Sequence, residues 1–163
     1  MAIRRHREGE LVVEQTRDLA LVREMLERGG VRTEGIEWPA ACYIVAYLGD
    51  EAVGVIGVEP KIDVALIRSL WVNASRRRRG IGGALLAAAR KAAHTRGARH
   101  LYLFGVDAAG FFERHGFAAV AVADVIAAIQ GVPQVEHFRA WPEELARQVG
   151  YHLNISDDGV IER

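Results

Sequence analysis

The stretch Arg77-Arg78-Arg79-Gly80-Ile81-Gly82 stands between a β-branched apolar run, Val64 to Val72, and an Ala- and Leu-rich stretch, Ile81 to Arg96. A turn from strand into helix leaves the first backbone N–H groups of the helix facing outward with partial positive charge. Gly80 and Gly82 let a ligand approach that backbone closely. Arg77 and Arg79 add full charges beside it, a set that suits a doubly charged pyrophosphate better than a single carboxylate. The third glycine of a dinucleotide fingerprint is missing, since Leu85 stands three residues past Gly82, and the Gly-Lys-Ser/Thr of a P-loop is absent. Taken without its context, an arginine run is a solvated basic surface.

The context extends in both directions. Arg90, Lys91, His94 and Arg96 gather near the end of the helix, matching its macrodipole, and Gly97 stops it. His100 to Phe104 reads as a strand, which can pair parallel to Val64–Val72 through the helical crossover. Upstream, Tyr43 to Leu48 and Ala52 to Val58 flank Gly49-Asp50-Glu51 as a hairpin, and a turn at Pro60 to Asp63 leads into Val64–Val72, making an antiparallel meander. Leu11 to Glu14 is a short β-like run. Asp18 is placed to cap a helix carrying Leu19, Val22 and Leu26, which Gly29-Gly30 ends, and Thr33 to Ala40 reads as a loop or short second helix. Downstream, Ala108 to His115 gives a short helix and Phe117 to Val122 a strand. Val125 to Gln130 and Pro142 to Val149 read as helical, and Tyr151 to Ile155 as a final strand.

The 163 residues are the size of one ordinary domain, and half of them are hydrophobic. Lys+Arg and Asp+Glu are equal at 21 each, so net charge does not point to nucleic acid or a membrane surface. No apolar run approaches the ~20 residues that span a bilayer, and Met1 to Glu10 has no signal-peptide core. The single cysteine, Cys42, excludes an intrachain disulfide framework and reads as a buried thiol. A soluble, cytoplasmic protein without a metal is expected.

Arg77, Gly80 and Gly82 match the Gln/Arg-x-x-Gly-x-Gly/Ala signature of the GCN5-related N-acetyltransferase (GNAT) superfamily, which the chain resembles. Leu66-Ile67-Arg68-Ser69-Leu70-Trp71-Val72 is similar to that family's fourth strand, and Phe111-Phe112-Glu113-Arg114-His115-Gly116-Phe117 to its aromatic helix. The resemblance covers roughly Glu10 to Val122 and implies one mixed α/β domain over the whole chain. Its sheet would be mostly antiparallel, splayed and flanked by helices, with a divergent segment from about residue 132. The implied cosubstrate is acetyl-coenzyme A (acetyl-CoA). Leu70, Trp71 and Val72, the run Arg77, Arg78, Arg79, Gly80, Ile81, Gly82 and Gly83, and Phe112 are expected to hold it. An amide at Leu70 or Val72 would polarise the thioester carbonyl.

An ammonium acceptor with a pKa of about 10 must lose a proton before attack. Glu59, at the end of the Ala52–Val58 run, is the candidate base; the alternative is a solvated strand-end carboxylate, and Asp63 is a second choice. Many family members carry a tyrosine general acid where this chain has Phe112, and Tyr102 could substitute. The features around Phe112, Thr33-Glu34-Gly35 and Leu66–Leu70 resemble a narrower branch, the N-acetylglutamate synthases and arsenic-resistance acetyltransferases, which act on amino acids or their analogues. Gly105-Val106-Asp107 replaces the run of threonines common there. Arg68 would pair with an acceptor carboxylate or take part in a buried ion pair with Glu34 or Glu59. Glu34 would hold the acceptor ammonium, or be a capping or solvated residue. Trp141 and Phe138 line the mouth or pack the tail.

The acceptor is therefore expected to be a small-molecule amine, with neither nucleic acid nor membrane as partner and a homodimer left open. A non-catalytic acetyl-CoA-binding module and a protein N-acetyltransferase are the alternatives.

Overall fold

The computed structural model describes residues 6–77, 79–106 and 110–159. Short apolar, β-branched runs, near-continuous in β2 and β3 because both faces of the sheet are covered, give β1 (Leu11–Thr16), β2 (Cys42–Leu48), β3 (Glu51–Lys61) and β4 (Val64–Val72), paired antiparallel in that order. Helix α1 (Leu19–Arg28) lies between β1 and β2, its first turn capped by the Asp18 side chain, which accepts from the Leu21 N–H. A single turn of 3₁₀ helix, Ala74–Arg76, leads from β4 to α2 (Ile81–Thr95) and then β5 (His100–Gly105), which pairs parallel to β4. Beyond it come α3 (Phe111–Arg114), β6 (Ala118–Val120), α4 (Val122–Ala128), α5 (Pro133–Ala140), α6 (Pro142–Leu145) and β7 (Val149–Asn154). The sheet order is β1-β2-β3-β4-β5-β7-β6, so β7 inserts between β5 and β6.

Each face of the sheet buries its own cluster. Ile44, Ile56, Val58, Ala65 and Ile67 pack against Leu85, Ala89 and Ala93 of α2 on one face. On the other, Tyr43, Val45, Val55 and Trp71 meet Val22, Met25 and Leu26 of α1, while Leu66 meets Val125, Ile129 and Val135 of the α4–α5 region. Strand alternation puts Ala65 and Ile67 toward α2, and without interruption Trp71 would follow them. It does not, because the β3–β4 register moves from Gly57↔Arg68 to Val55↔Trp71, so that one residue of β3 opposes two of β4, Ser69 and Leu70. This bulge turns Trp71 to the α1 face and brings Leu70 and Val72 against the α2 cluster.

Several sequence expectations shift here. The third strand runs on through Glu59 and Pro60 to Lys61, which moves its turn to Ile62-Asp63. Residues 33–40 form turns rather than a second helix. The tail folds as α4, α5 and α6 before β7, and α5 was not anticipated because the sequence signal there, Val135 and Phe138 at helical spacing behind Pro133, is only two turns long. The α3 helix begins at Phe111, residues 107–109 lying outside the described residues.

At the β3–β4 tip, Ile62 has φ +53° and is 87% exposed. A β-branched side chain in the left-handed region is strained and buries nothing in return. Ile62→Asn is therefore expected to stabilise the fold by about 1 kcal/mol, raising Tm by about 2–4 °C in a thermal melt. An unchanged or lower Tm would show that the tip carries no such strain.

Candidate active site

The parallel pairing of β4 with β5 ends at Ile67↔Leu103, although β4 continues to Val72 and β5 to Gly105. Past that point the strands part, and a cleft of about 1160 Å³ lies between them. Ile67 to Val72 form one wall; Leu103, Phe104 and Gly105 form the other. At one end the cleft meets the start of α2, at Gly80, Ile81, Gly82 and Gly83. At the other it is lined by Arg32, Arg68, Gln134 and Phe138.

The start of α2 is built to stay bare. Gly80 takes φ +75°, no side chain among the described residues caps the helix, and its first turn holds no acidic residue. A Cβ on Gly80 would meet nothing within 4 Å, so the approach from solvent is open. Ile81, only 2% exposed, anchors the helix on the sheet. Gly54 admits it, because a Cβ there would come within 2.9 Å of Leu85 Cδ1 and 3.1 Å of the Trp71 carbonyl oxygen. Arg77 lines the cleft and donates from Nε to the Val72 carbonyl, at 3.3 Å. This uncapped N-terminus of a fifteen-residue helix, with a cation at its side, fits a pyrophosphate. Arg79 instead lines a separate hollow with His6, Asp50 and Arg76, and Arg78 lies outside the described residues.

Leu70, Trp71, Val72 and Phe112, all expected to hold the cosubstrate, line the cleft. Phe112 is nearly buried, its ring 5.3 Å from Tyr151 and 5.9 Å from Phe117. It closes the cleft floor as a packing residue with no proton to give.

The end of the cleft away from α2 is organised by a buried ion pair. Glu59 is fully buried and Arg68 is 3% exposed. Arg68 Nη1 donates to Glu59 Oε2 at 2.9 Å and to the Glu34 carbonyl at 2.8 Å, and Arg68 Nε donates to Ser69 Oγ at 2.9 Å. The other carboxylate oxygen, Glu59 Oε1, accepts from the Gln134 N–H at 2.9 Å. Gly57 makes room for the arginine, since a Cβ there would lie 3.0 Å from Arg68 Cγ and 2.7 Å from the Tyr43 ring. Burial pushes the Glu59 carboxyl above the usual carboxylate range, while Arg68 and the Gln134 N–H pull it back.

These positions bear on the candidate residues. Glu59 was expected at a strand end beside the thioester, but it sits within β3, does not line the cleft, and has both oxygens engaged. That is the buried ion pair considered for Arg68 rather than the arrangement of a free base. Glu34 contributes its carbonyl to Arg68 while its carboxylate stands 60% exposed, 4.0 Å from Arg32. Tyr102 is on the α4 face of β5, 4.8 Å from the His152 ring, and does not line the cleft. Alternation explains this: Leu101 and Leu103 face α2, so Tyr102 faces away. Phe138 lines the cleft against Phe104, at 4.9 Å, and Trp141 is more than half exposed beside His137.

Sequence reasoning passed over Arg32, Gln134 and Gln148, which also line the cleft. Arg32 and Gln134 reach it from a loop and from a helix whose places are set by tertiary contacts; no local motif marks them. Among the described lining residues there is no Asp or Glu.

Residues 39–119 match the acetyltransferase (GNAT) domain family. No curated protein matches the chain in sequence. Among solved structures, a Mycobacterium tuberculosis protein in complex with CoA superposes with a TM-score of 0.67 at 18% identity, over 88% of this chain and 98% of that one. A Staphylococcus aureus acetyltransferase of the GNAT family gives 0.67 at 13% identity, over 90% and 99%. The Neisseria gonorrhoeae N-acetylglutamate synthase complexed with coenzyme A and N-acetyl-glutamate gives 0.67 at 15% identity, over 91% of this chain and 36% of the synthase.

Proposed function

Through the domain at residues 39–119 the chain is a GNAT-superfamily acetyltransferase with acetyl-CoA as its acyl donor, and on that premise we propose that its acceptor is a free amino acid or close analogue. The observation that carries this reading is the Arg68 Nη2 group. It is buried, has no hydrogen-bond partner among the described residues, and belongs to a side chain that lines the cleft. An unpaired buried donor on a guanidinium is costly unless a ligand completes it, and a carboxylate is the complement of that geometry. The absence of Asp and Glu among the described lining residues disfavours polyamines and other polycationic acceptors.

Acetyl-CoA, when bound, supplies the acetyl group as an activated thioester. The amides at the start of α2 and the Arg77 guanidinium would hold its pyrophosphate, and the unpaired edges of β4 and β5 its pantetheine arm. The Leu70 N–H would donate to the thioester carbonyl oxygen as negative charge grows there. The ammonium first gives a proton to water; attack by the neutral amine then forms the C–N bond and breaks the C–S bond, and the proton left on nitrogen passes to the departing thiolate or to water. A thiol is a far stronger acid than an alcohol, so the thiolate is an adequate leaving group and Phe112 in place of a tyrosine does not prevent turnover.

A thiol-release assay tests the acceptor. Amino acids should outperform their decarboxylated amines by about 10- to 100-fold in kcat/KM, the value of one charge-assisted hydrogen bond lost. Equal rates on the two would remove the carboxylate from the reading. Donor binding with no thiol release from any amine would favour a non-catalytic acetyl-CoA module.

A further inference from the structure

Ser69 is one of two described non-glycine residues with positive φ, at +60°. The other, Ile62, is at an exposed hairpin tip, whereas Ser69 is in the middle of a sheet, at the β4 bulge and on the wall of the cleft. A serine in the left-handed region persists in a strand only where its surroundings over-determine it. Here they do. Ser69 Oγ accepts from Arg68 Nε, Arg68 is fixed by Glu59 and by the Glu34 carbonyl, and Glu59 is fixed in turn by the Gln134 N–H. One hydroxyl is thus tied to β3, to the loop after α1 and to the first turn of α5.

The ψ angle of Ser69 and the φ angle of Leu70 set the plane of the peptide group between them, and therefore the direction of the Leu70 N–H. We propose that Ser69 is a positioning residue for acetyl transfer: clamped by Arg68, it holds the bulge in its left-handed turn and so aims the Leu70 N–H at the thioester carbonyl. This rests on the reading of the parted strands as the acetyl-donor site. The clamp touches neither the pyrophosphate end nor the bond that breaks. Its loss lowers the rate of transfer and leaves donor affinity in place.

Ser69→Gly is the discriminating variant, because glycine adopts φ +60° without strain yet also populates negative φ and lacks the hydroxyl. Its kcat should fall by about 10- to 100-fold, as expected when a transition-state donor is mis-set by a fraction of an ångström to one ångström. KM for acetyl-CoA and the acetyl-CoA-induced rise in Tm should stay within twofold of wild type. Ser69→Asn, which tolerates the left-handed region and offers an acceptor oxygen to Arg68 Nε, should recover part of the loss.

A second readout needs no acceptor: isotope-edited infrared difference spectra of carbonyl-¹³C acetyl-CoA. In wild type the thioester carbonyl stretch should move to lower frequency on binding, and in Ser69→Gly that shift should shrink. An unaltered kcat together with an unaltered carbonyl shift in Ser69→Gly overturns the proposal, as does a loss confined to KM of the acceptor. A wild type with a lowered carbonyl frequency but no turnover on any amine would instead defeat the acceptor reading and leave the positioning role standing.

Discussion

Arg68→Ala is expected to cost about 3–5 kcal/mol of folding free energy, the penalty for leaving a buried carboxylate without its counter-charge. Glu59 is fully buried, and the variant strips its Oε2 of the one cation that contacts it among the described residues while leaving Oε1 on the Gln134 N–H. Three further tethers go at once, because the guanidinium also holds the Glu34 carbonyl and Ser69 Oγ and its stem fills the space above Gly57. Urea unfolding at neutral pH checks the figure. The pair Glu59→Leu with Arg68→Met should recover most of the loss, since replacing both charges with apolar groups of similar volume removes the desolvation cost together with the attraction. A single-variant loss under about 1 kcal/mol would mean that the carboxyl is already neutral in the native protein. The same variant is a poor probe of acceptor recognition, since its effect on turnover would mix a lost carboxylate contact with a loosened bulge. Comparing acceptors on the intact protein separates the two.

What the sequence disclosed about this site follows the range of the interactions involved. The start of α2 was legible because everything that makes it is local: Gly80 turns the chain, Ile81 anchors the helix, and the first turn carries no acid to compete for the amides. The meander and the β4-α2-β5 crossover were legible for the same reason, through apolar period and turn residues. Glu59 and Arg68 were both picked out, yet their relation depended on a register. Gly57 opposes Arg68, and Glu59 opposes Leu66 two pairs further along, so the two charged side chains emerge on the same face of the sheet. The expected strand end at Val58 would have let Glu59 reach solvent, whereas the extension to Lys61 buries it under α5. The bulge at Ser69-Leu70 left no mark in composition, for serine is a poor advertisement of positive φ. Tyr102 fell on the wrong face by simple alternation, a consequence that required knowing which face of β5 meets α2.

Gly82→Glu is expected to abolish donor binding while leaving the protein at least as stable as wild type. In the wild-type protein, acetyl-CoA at 100 times its Kd should add about 2.7 kcal/mol by mass action and raise Tm by roughly 5–10 °C. Gly82 is the second residue of α2, in the first turn, where no side chain among the described residues caps the amides. A glutamate there brings a carboxylate to the place proposed for the pyrophosphate, replacing an attraction with a like-charge repulsion, and affinity should fall at least about 100-fold. The same carboxylate suits the positive end of the helix, so the ligand-free variant should gain a few tenths of a kcal/mol rather than lose stability. Room is adequate: a Cβ at Gly82 would sit 3.3 Å from Phe111 Cζ, a partly exposed ring that can shift by a few tenths of an ångström. Gly82→Ala supplies the control for that contact, and it should retain the ligand-induced rise in Tm to within a few degrees. If Gly82→Ala loses the rise as completely as Gly82→Glu, the effect is steric and says nothing about charge. If Gly82→Glu keeps the full rise, the pyrophosphate is bound elsewhere and the start of α2 is not the donor site.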